Sequence, residues 1–322
     1  MNLLITGANG FIGKALVARL MNGASPWPRS EDAQFQATLL DLTFDGADRP
    51  GTRRLTGSLL DRQLLARAFA SPVDVIFHLA SIPGGLAEQH YELGRQGNLD
   101  ATVALLEAAR AQTLASAVQP IFVFASSIAA LGAPLPDPVD DATPLRPKLT
   151  YGAHKWIGEI LVEDFSRRGW VSGRSVRLPG IVARPPQRTG QLSAFMSDII
   201  RELAVGRSFS CPVSADSTTW LMSVPCIVDN LLHAATLPTS QCADTRVWTL
   251  PALRSTMTEL VEAVAAVYGQ DVLRRVSYQS NPALEANFGR YPRLHTPAAE
   301  SAGFRHDGDL RTLVRRALEP IP

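Results

Sequence analysis

The sequence predicts an α/β fold built on a doubly wound parallel sheet, with a smaller lobe toward the C-terminus. Three observations predict it. Short apolar runs alternate with longer helical patterns through the first half, a glycine-rich GANGFIG (7–13) directly follows the first of those runs, and the texture changes after residue 178. Strand-length apolar runs alternating with helices are the signature of parallel strands joined by crossover helices, since such a sheet is covered on both faces.

Taken in order, NLLIT (2–6) reads as a strand and is followed by a helix through Gly10–Met21. ATLLDL (37–42), TRRLT (52–56) and VDVIFHLA (73–80) are the next strand-like runs, with DRQLLARAFA (61–70) as a helix between the last two. One long helix is expected over about residues 86–114, then a strand at PIFVFASS (120–127). A helix opens at YGAHK (151–155) and continues through IGEILVEDFSRR, and SGRSVRL (172–178) is a further strand. The proline-bearing ASPWPRSEDAQ (24–34) reads as a surface loop. Beyond 178, ARPPQRTGQ (183–191) is rich in proline, glycine and arginine, and periodicity weakens. The expected organisation is a main domain over 1–178, to which 217–253 returns a helix and a strand, and a lobe formed by 179–216 and 254–322.

The 322 residues are 46% hydrophobic and 19% charged, with a net charge of +1. That balance gives no electrostatic basis for binding nucleic acid or an anionic membrane. Arginine far outnumbers lysine, which occurs only at Lys14, Lys148 and Lys155. MNLLITGANG enters a strand and turn at once, so no secretory leader is expected. The most apolar stretch, IFVFASSIAALGAPL (121–135), is broken by serines, glycine and prolines well short of a membrane span. Cys211, Cys226 and Cys242 lie far apart and the histidines do not cluster, so reduced, buried thiols in a cytoplasmic protein are expected, and no metal site.

GANGFIG puts Gly7, Gly10 and Gly13 between the first strand and the first helix. Glycine there permits a tight turn, close approach of backbone to a pyrophosphate and close helix–strand packing, while helix N-terminal amides face the phosphate charge. The G-x-x-G-x-x-G spacing directly after an N-terminal strand points to a Rossmann-type dinucleotide domain. Asp41 closes the second strand, where a carboxylate accepts both adenosine ribose hydroxyls and repels a 2′-phosphate, so NAD is expected over NADP. HLAS (78–81) ends the fourth strand at the cofactor edge, with His78 itself expected to be structural. Ser126–Ser127 ends the fifth strand, and Tyr151 and Lys155 stand one helical turn apart at the same edge. A tyrosine acting as base needs its pKa of about 10 brought down, and a lysine ammonium and the nicotinium charge both favour the phenolate. Tyr151 and Lys155 are therefore read as catalytic, with a serine hydroxyl holding the substrate oxygen.

GANGFIG, HLAS, NLDAT (98–102), FASSIAALG and YGAHK resemble the extended short-chain dehydrogenase/reductases across essentially the whole chain. That resemblance implies a nicotinamide cofactor, Tyr151 as base and Lys155 lowering its pKa and binding the ribose. It selects Ser127, five residues before Gly132, as the hydroxyl partner, and Asn98 as the active-site asparagine. It extends the cofactor contacts to Asn9, Phe11, Ile12 and Leu59, and to Leu79, Ala80, Leu178 and Ile181. Ser58 joins these contacts but departs from the pattern, since the usual G-D is here Gly57–Ser58. Within the family, LGRQGNLDATVALLEAAR, FVFASSIAALGAPLPDPVDDATPL and YGAHKWIGEILVEDFSRRGWVSGRSVRLPGIVARP are similar to the D-erythronate dehydrogenases. This narrower likeness implies NAD-dependent oxidation of the C2 hydroxyl of a four-carbon sugar acid. Gly84, Leu86 and Gly180 depart from that group around the substrate. A homodimer through the helices near 86–114 and 150–168 is implied by resemblance alone.

Three functions are weighed. A hydroxy-acid dehydrogenase needs a cationic anchor for its substrate, for which Arg184 and Arg188 in the post-sheet loop are candidates beside Ser81, Ser127 and Tyr151. A nucleotide-sugar epimerase or dehydratase is the second. Dehydration is disfavoured because Ile128–Ala129, not an acid pair, follow Ser127, and epimerisation because Arg177–Leu178–Pro179–Gly180 lacks the group's R-x-x-N. A silent cofactor-binding sensor is the third, and the presence of both Tyr151 and Lys155 argues against it.

Overall fold

The computed structural model describes residues 1–22, 26–27, 36–47, 49–186, 193–242 and 245–320. Most of the loop expected at 24–34 lies outside the described residues. The strands in chain order are β1 (Asn2–Thr6), β2 (Gln36–Asp41), β3 (Thr52–Thr56), β4 (Val75–His78), β5 (Ile121–Ser127) and β6 (Ser172–Leu178). They are followed by β7 (Gly180–Val182), β8 (Phe209–Cys211), β9 (Thr218–Ser223), β10 (Val247–Thr249), β11 (Leu253–Thr256) and β12 (Val276–Tyr278). Seven of them form one sheet in the order β10-β6-β5-β4-β1-β2-β3, and every pair in it is parallel. The winding reverses between β1 and β4. Crevices for ligands open at such a reversal, beyond the carboxyl ends of the strands.

The helices of the first half are α1 (Phe11–Met21), α2 (Arg62–Ala68), α3 (Gly84–Gln89), α4 (Tyr91–Arg95), α5 (Ala101–Ser116) and α6 (Thr150–Arg167). The second half holds α7 (Phe195–Ala204), α8 (Val224–Thr236), α9 (Met257–Tyr268), α10 (Pro282–Phe288), α11 (Pro297–Ser301) and α12 (Leu310–Ala317). α2, α5 and α6 cover one face of the sheet through Leu64, Leu105, Val162 and Phe165. α1 and α8 cover the other through Leu16, Leu20, Ile227 and Leu231. The central strands β1, β4, β5 and β6 are consequently buried on both sides, as expected of a parallel sheet with helices on both faces.

The region expected as one helix over 86–114 is instead three helices and a π turn. His90, with φ −128° and ψ 77°, interrupts the chain between α3 and α4. The π turn Gln96–Asp100 then inserts one extra residue per turn ahead of α5. Such single-turn π insertions are rare, and the helical pattern alone does not announce one.

α8 and β10 lie on the main sheet, β10 running parallel to β6 with Trp248 opposite Val176. β9 joins a second, three-stranded sheet in the order β11-β9-β7, and β12 pairs with β8. α7, α9 and α12 pack around these strands over Ile199, Leu203, Leu260, Val264 and Leu313. Trp248 and Phe304 meet at 5.4 Å between ring centroids and close the core beneath β10. Trp248 is essentially fully buried. Trp248→Ala is expected to lower stability by about 3–5 kcal/mol, read from urea denaturation, because the cavity beside Phe304 cannot collapse against a parallel sheet.

Candidate active site

The cleft lies where the glycine loop, the ends of β4, β5 and β6 and the second lobe converge, and its volume is about 1250 Å³. The first wall is the β1–α1 turn. Gly7 adopts φ +68°, and a Cβ there would stand 2.6 Å from the Ala80 nitrogen. A Cβ on Gly13 would stand 2.1 Å from the Gly7 carbonyl oxygen. The turn therefore takes its shape only with glycine at both positions. The first-turn amides of α1, at Phe11 and Ile12, have no acceptor within the helix, and no acid occupies that turn. This is a free positive helix end bordering the cleft, and it fits a pyrophosphate. Asp41 Oδ2 accepts from the Asn9 amide at 2.8 Å and Oδ1 from the Leu42 amide at 2.7 Å. Its carboxylate thus stands beside the glycine loop, where an adenosine ribose would lie. The residues present fit a dinucleotide.

β4 delivers His78 and the Leu79–Ser81 segment. The His78 imidazole is buried between the Thr6 and Thr102 hydroxyls, at 2.7 and 2.9 Å. Thr102 donates to the Asn98 carbonyl at 2.8 Å and so accepts from His78 Nε2–H, which leaves Nδ1 to accept from Thr6. Burial, helped by the Lys155 charge, pushes the His78 pKa down to about 3, so the ring is neutral and structural. Asn98, buried in the π turn, accepts from the Ile82 amide at 2.7 Å and the Ser81 hydroxyl at 3.2 Å, and donates to the Ile82 carbonyl at 3.1 Å. Its side chain thereby fixes the loop that carries Ser81.

β5 and α6 bring Ser127, Tyr151 and Lys155 to one wall of the cleft. The α6 N-terminus has no cap of its own, and Glu88 of α3 accepts from the Thr150 amide at 2.9 Å. Glycines let α6 lie close. A Cβ at Gly152 would stand 2.3 Å from the Ala129 carbonyl oxygen, and one at Gly158 would stand 2.6 Å from the Phe124 ring. The Lys155 ammonium is buried, donates to the Ala125 carbonyl at 2.7 Å and sits 5.6 Å from the centroid of the Tyr151 ring. Burial pulls its pKa down to about 7, against the opposing pull of Glu159. Burial raises the Tyr151 phenol, and the Ser81 hydroxyl, the Arg184 guanidinium and the Ser127 hydroxyl draw it back. The Ser126 hydroxyl donates to Glu159, which also takes a bidentate pair from Arg177 at 2.9 and 2.8 Å. Ser127 keeps its hydroxyl hydrogen for another acceptor, since its oxygen receives the Ala129 amide at 3.1 Å.

Of the residues named from sequence, Gly7, Gly10, Phe11, Ile12 and Gly13 line the cleft, as do Leu79, Ser81, Leu178, Ile181 and Arg184. Asn9 and Asp41 stand behind the glycine loop, and Ala80 packs against Gly7. Ser58 caps its own turn by accepting from the Leu60 amide at 3.1 Å, while Leu59 is buried in the core with Leu55 and Leu64. Arg188 lies outside the described residues. Sequence reasoning missed the wall supplied by the second lobe, with Met196, Thr219, Trp220, Arg290 and Tyr291, and it missed Glu159. The lobe residues come from three separate segments with no motif to join them. Glu159 did carry a signal, an acid one turn beyond Lys155 on the buried stripe of α6.

The profile of the NAD dependent epimerase/dehydratase family matches residues 3–221. The chain is 37% identical to D-erythronate dehydrogenase of Cupriavidus necator over 322 aligned residues, covering 99% of this chain and 98% of that one. It is 31% identical to D-erythronate dehydrogenase of Haemophilus influenzae, covering 99% of each. Among solved structures it is similar to a nucleoside-diphosphate-sugar epimerase from Agrobacterium tumefaciens, with a TM-score of 0.89, 30% identity and coverage of 98% and 92%.

Gly13→Ala is expected to weaken NAD binding by at least about tenfold in a fluorescence titration, because the new methyl must displace the Gly7 carbonyl. The His78 ring is expected to show no titration by NMR between pH 8 and 5. An unfolded histidine protonates near 6.5 while folded His78 resists to about 3, so its contribution to stability is full above 6.5 and is lost as pH falls toward 3.

Proposed function

The chain belongs to the NAD-dependent epimerase/dehydratase family, with NAD as its cofactor, and we propose that within it the protein is a sugar-acid dehydrogenase. The substrate we assign is D-erythronate, oxidised at C2 to 2-oxo-D-erythronate. The observation that carries the chemistry is the Tyr151 phenol on the cleft wall, flanked by the Ser81 and Ser127 hydroxyls and underlain by Lys155. Full-length likeness to two proteins named D-erythronate dehydrogenase supports the substrate.

When bound, NAD supplies the acceptor for the C2 hydride and a positively charged ring beside the phenol. The substrate hydroxyl lies between Ser127 and Tyr151, and Ser127 holds its oxygen. Tyr151, as phenolate, takes the hydroxyl proton. Burial opposes that phenolate in the free protein, while Arg184 and the two serines favour it. Lys155, held to about 7, stands near enough to its own midpoint to exchange a proton as the phenol does. Asn98 orders the Ser81 loop rather than reaching the reacting atoms. Arg184, half-buried over the Phe11 ring at 5.6 Å, serves as an anchor for the carboxylate. Asp41 favours NAD over NADP by repelling a 2′-phosphate.

We further infer a homodimer and a cytoplasmic location. Trp156, Ile157 and Ile160 of α6 and Val103 and Leu114 of α5 leave apolar surface exposed for a second copy. Cys211, Cys226 and Cys242 are buried free thiols, in keeping with a reducing compartment. No helix among the described residues is long and apolar enough to cross a membrane.

Purified protein given D-erythronate and NAD is expected to form NADH, with much weaker turnover on NADP. Tyr151→Phe should lower kcat by about 10²–10⁴ while NAD still binds. The rate of oxidation should fall as pH drops, because the phenolate is the working form. Interconversion of a nucleotide sugar without net NADH would instead establish the epimerase, the reading that the Agrobacterium tumefaciens neighbour represents.

A further inference from the structure

Lys155 is a cation in the interior, and burial pulls its pKa down to about 7 against the opposing pull of Glu159. The groups facing it are few. Tyr151 and Glu159 flank it on α6, the Ala125 carbonyl and the Phe124 ring approach from β5, and neutral His78 lies on β4. Of these only Glu159 carries a negative charge. It lies one turn beyond Lys155, on the same side of α6, and its side chain is 3% exposed.

Glu159 is also the hub of a buried chain. The Ser126 hydroxyl donates to Oε1, and Arg177 of β6 donates to both oxygens, at 2.9 and 2.8 Å. The Arg177 side chain reaches on to the Thr249 hydroxyl of β10 at 3.4 Å. Ser126 lies between the two residues of β5 that the site uses, Ala125, which receives the Lys155 ammonium, and Ser127. A single carboxylate therefore ties the end of β5 to α6 at the point where the serine, tyrosine and lysine must register.

We propose that Glu159 is a positioning residue of the active site, clamping the end of β5 to α6 and standing as the counter-charge one turn from the Lys155 ammonium, with Arg177 setting how much of that charge Lys155 feels. The proposal rests on the reading of Lys155 as catalytic, and its test separates the two.

With only Lys14, Lys148 and Lys155 in the chain, [13Cε]-lysine labelling gives three NMR signals, assigned by Lys14→Arg and Lys148→Arg. The midpoint of Lys155 is followed through pH in the wild type, in Glu159→Gln and in Arg177→Gln. Glu159→Gln keeps the shape and loses the charge, and the Lys155 midpoint is expected to fall by about one pH unit. Arg177→Gln leaves the Glu159 charge uncompensated, and the midpoint is expected to rise. A clamp that acted through packing alone would not move the two in opposite directions. An unmoved midpoint in both variants, or a shift of the same sign in both, overturns the proposal. If Glu159→Gln does not fold, Arg177→Gln decides alone, a rise supporting the proposal and no change overturning it. Opposite shifts combined with full turnover by Lys155→Met would leave the Glu159 assignment standing and remove Lys155 from catalysis.

Discussion

The close seating of α6 on β5 is the constraint on which the site depends. Tyr151 and Lys155 belong to the helix and Ser127 to the strand, so their mutual distance is the distance between two elements of secondary structure. Gly152 and Gly158 remove the side chains that would hold the helix off, at the Ala129 carbonyl and the Phe124 ring. Gly173 does the same where β6 meets Val162 and Ser166 of α6. Helix, strand and neighbouring strand are thus brought into contact at three backbone positions, and the Arg177–Glu159–Ser126 chain locks that contact with charge-assisted hydrogen bonds. A buried ion pair of this kind adds little net stability relative to apolar packing. Its value here is in fixing which atoms face each other.

The electrostatics of the cleft follow from the same burial. Desolvation moves the Tyr151 phenol up and the Lys155 ammonium down, each toward its uncharged form. Taken alone, that would leave a neutral, inert pair. The surrounding polar groups are arranged against it, with Glu159 behind the lysine and Arg184, Ser81 and Ser127 around the phenol. A cationic nicotinamide ring adds to the second group when NAD is in place. His78 is the contrasting case, a residue at the same strand edge held neutral between two threonines and fully absorbed by the packing of β1, β4 and α5.

The centre of the main sheet was legible because β1, β4, β5 and β6 are buried on both faces. β1, β3 and β6 fall at the limits read from NLLIT, TRRLT and SGRSVRL. The 86–114 segment misled because the break at His90 and the π turn that carries the buried Asn98 both fall inside an otherwise helical run. The second lobe was illegible for another reason. Its sheet pairs β7, β9 and β11 from segments tens of residues apart, and β9 is only the entry to a run whose helix returns to the main domain. At the site, the glycine turn and the Ser127, Tyr151 and Lys155 positions could be named because each sits at a fixed offset from an element end. The Trp220–Tyr291 wall, with its rings 4.9 Å apart, depends on tertiary contacts that no local pattern encodes.

In the proposed reaction Tyr151, beside Ser127 and Lys155, removes a proton from a sugar-acid hydroxyl while the hydrogen on the same carbon passes directly to NAD. The measurement that tests it most directly uses D-erythronate carrying deuterium at C2, with the NADH product analysed by mass spectrometry and NMR. The account predicts one deuterium at C4 of the nicotinamide, on a single face, and none in solvent. Deuterium released to water, or unlabelled NADH, would contradict direct transfer from C2 and with it the assignment of the reaction.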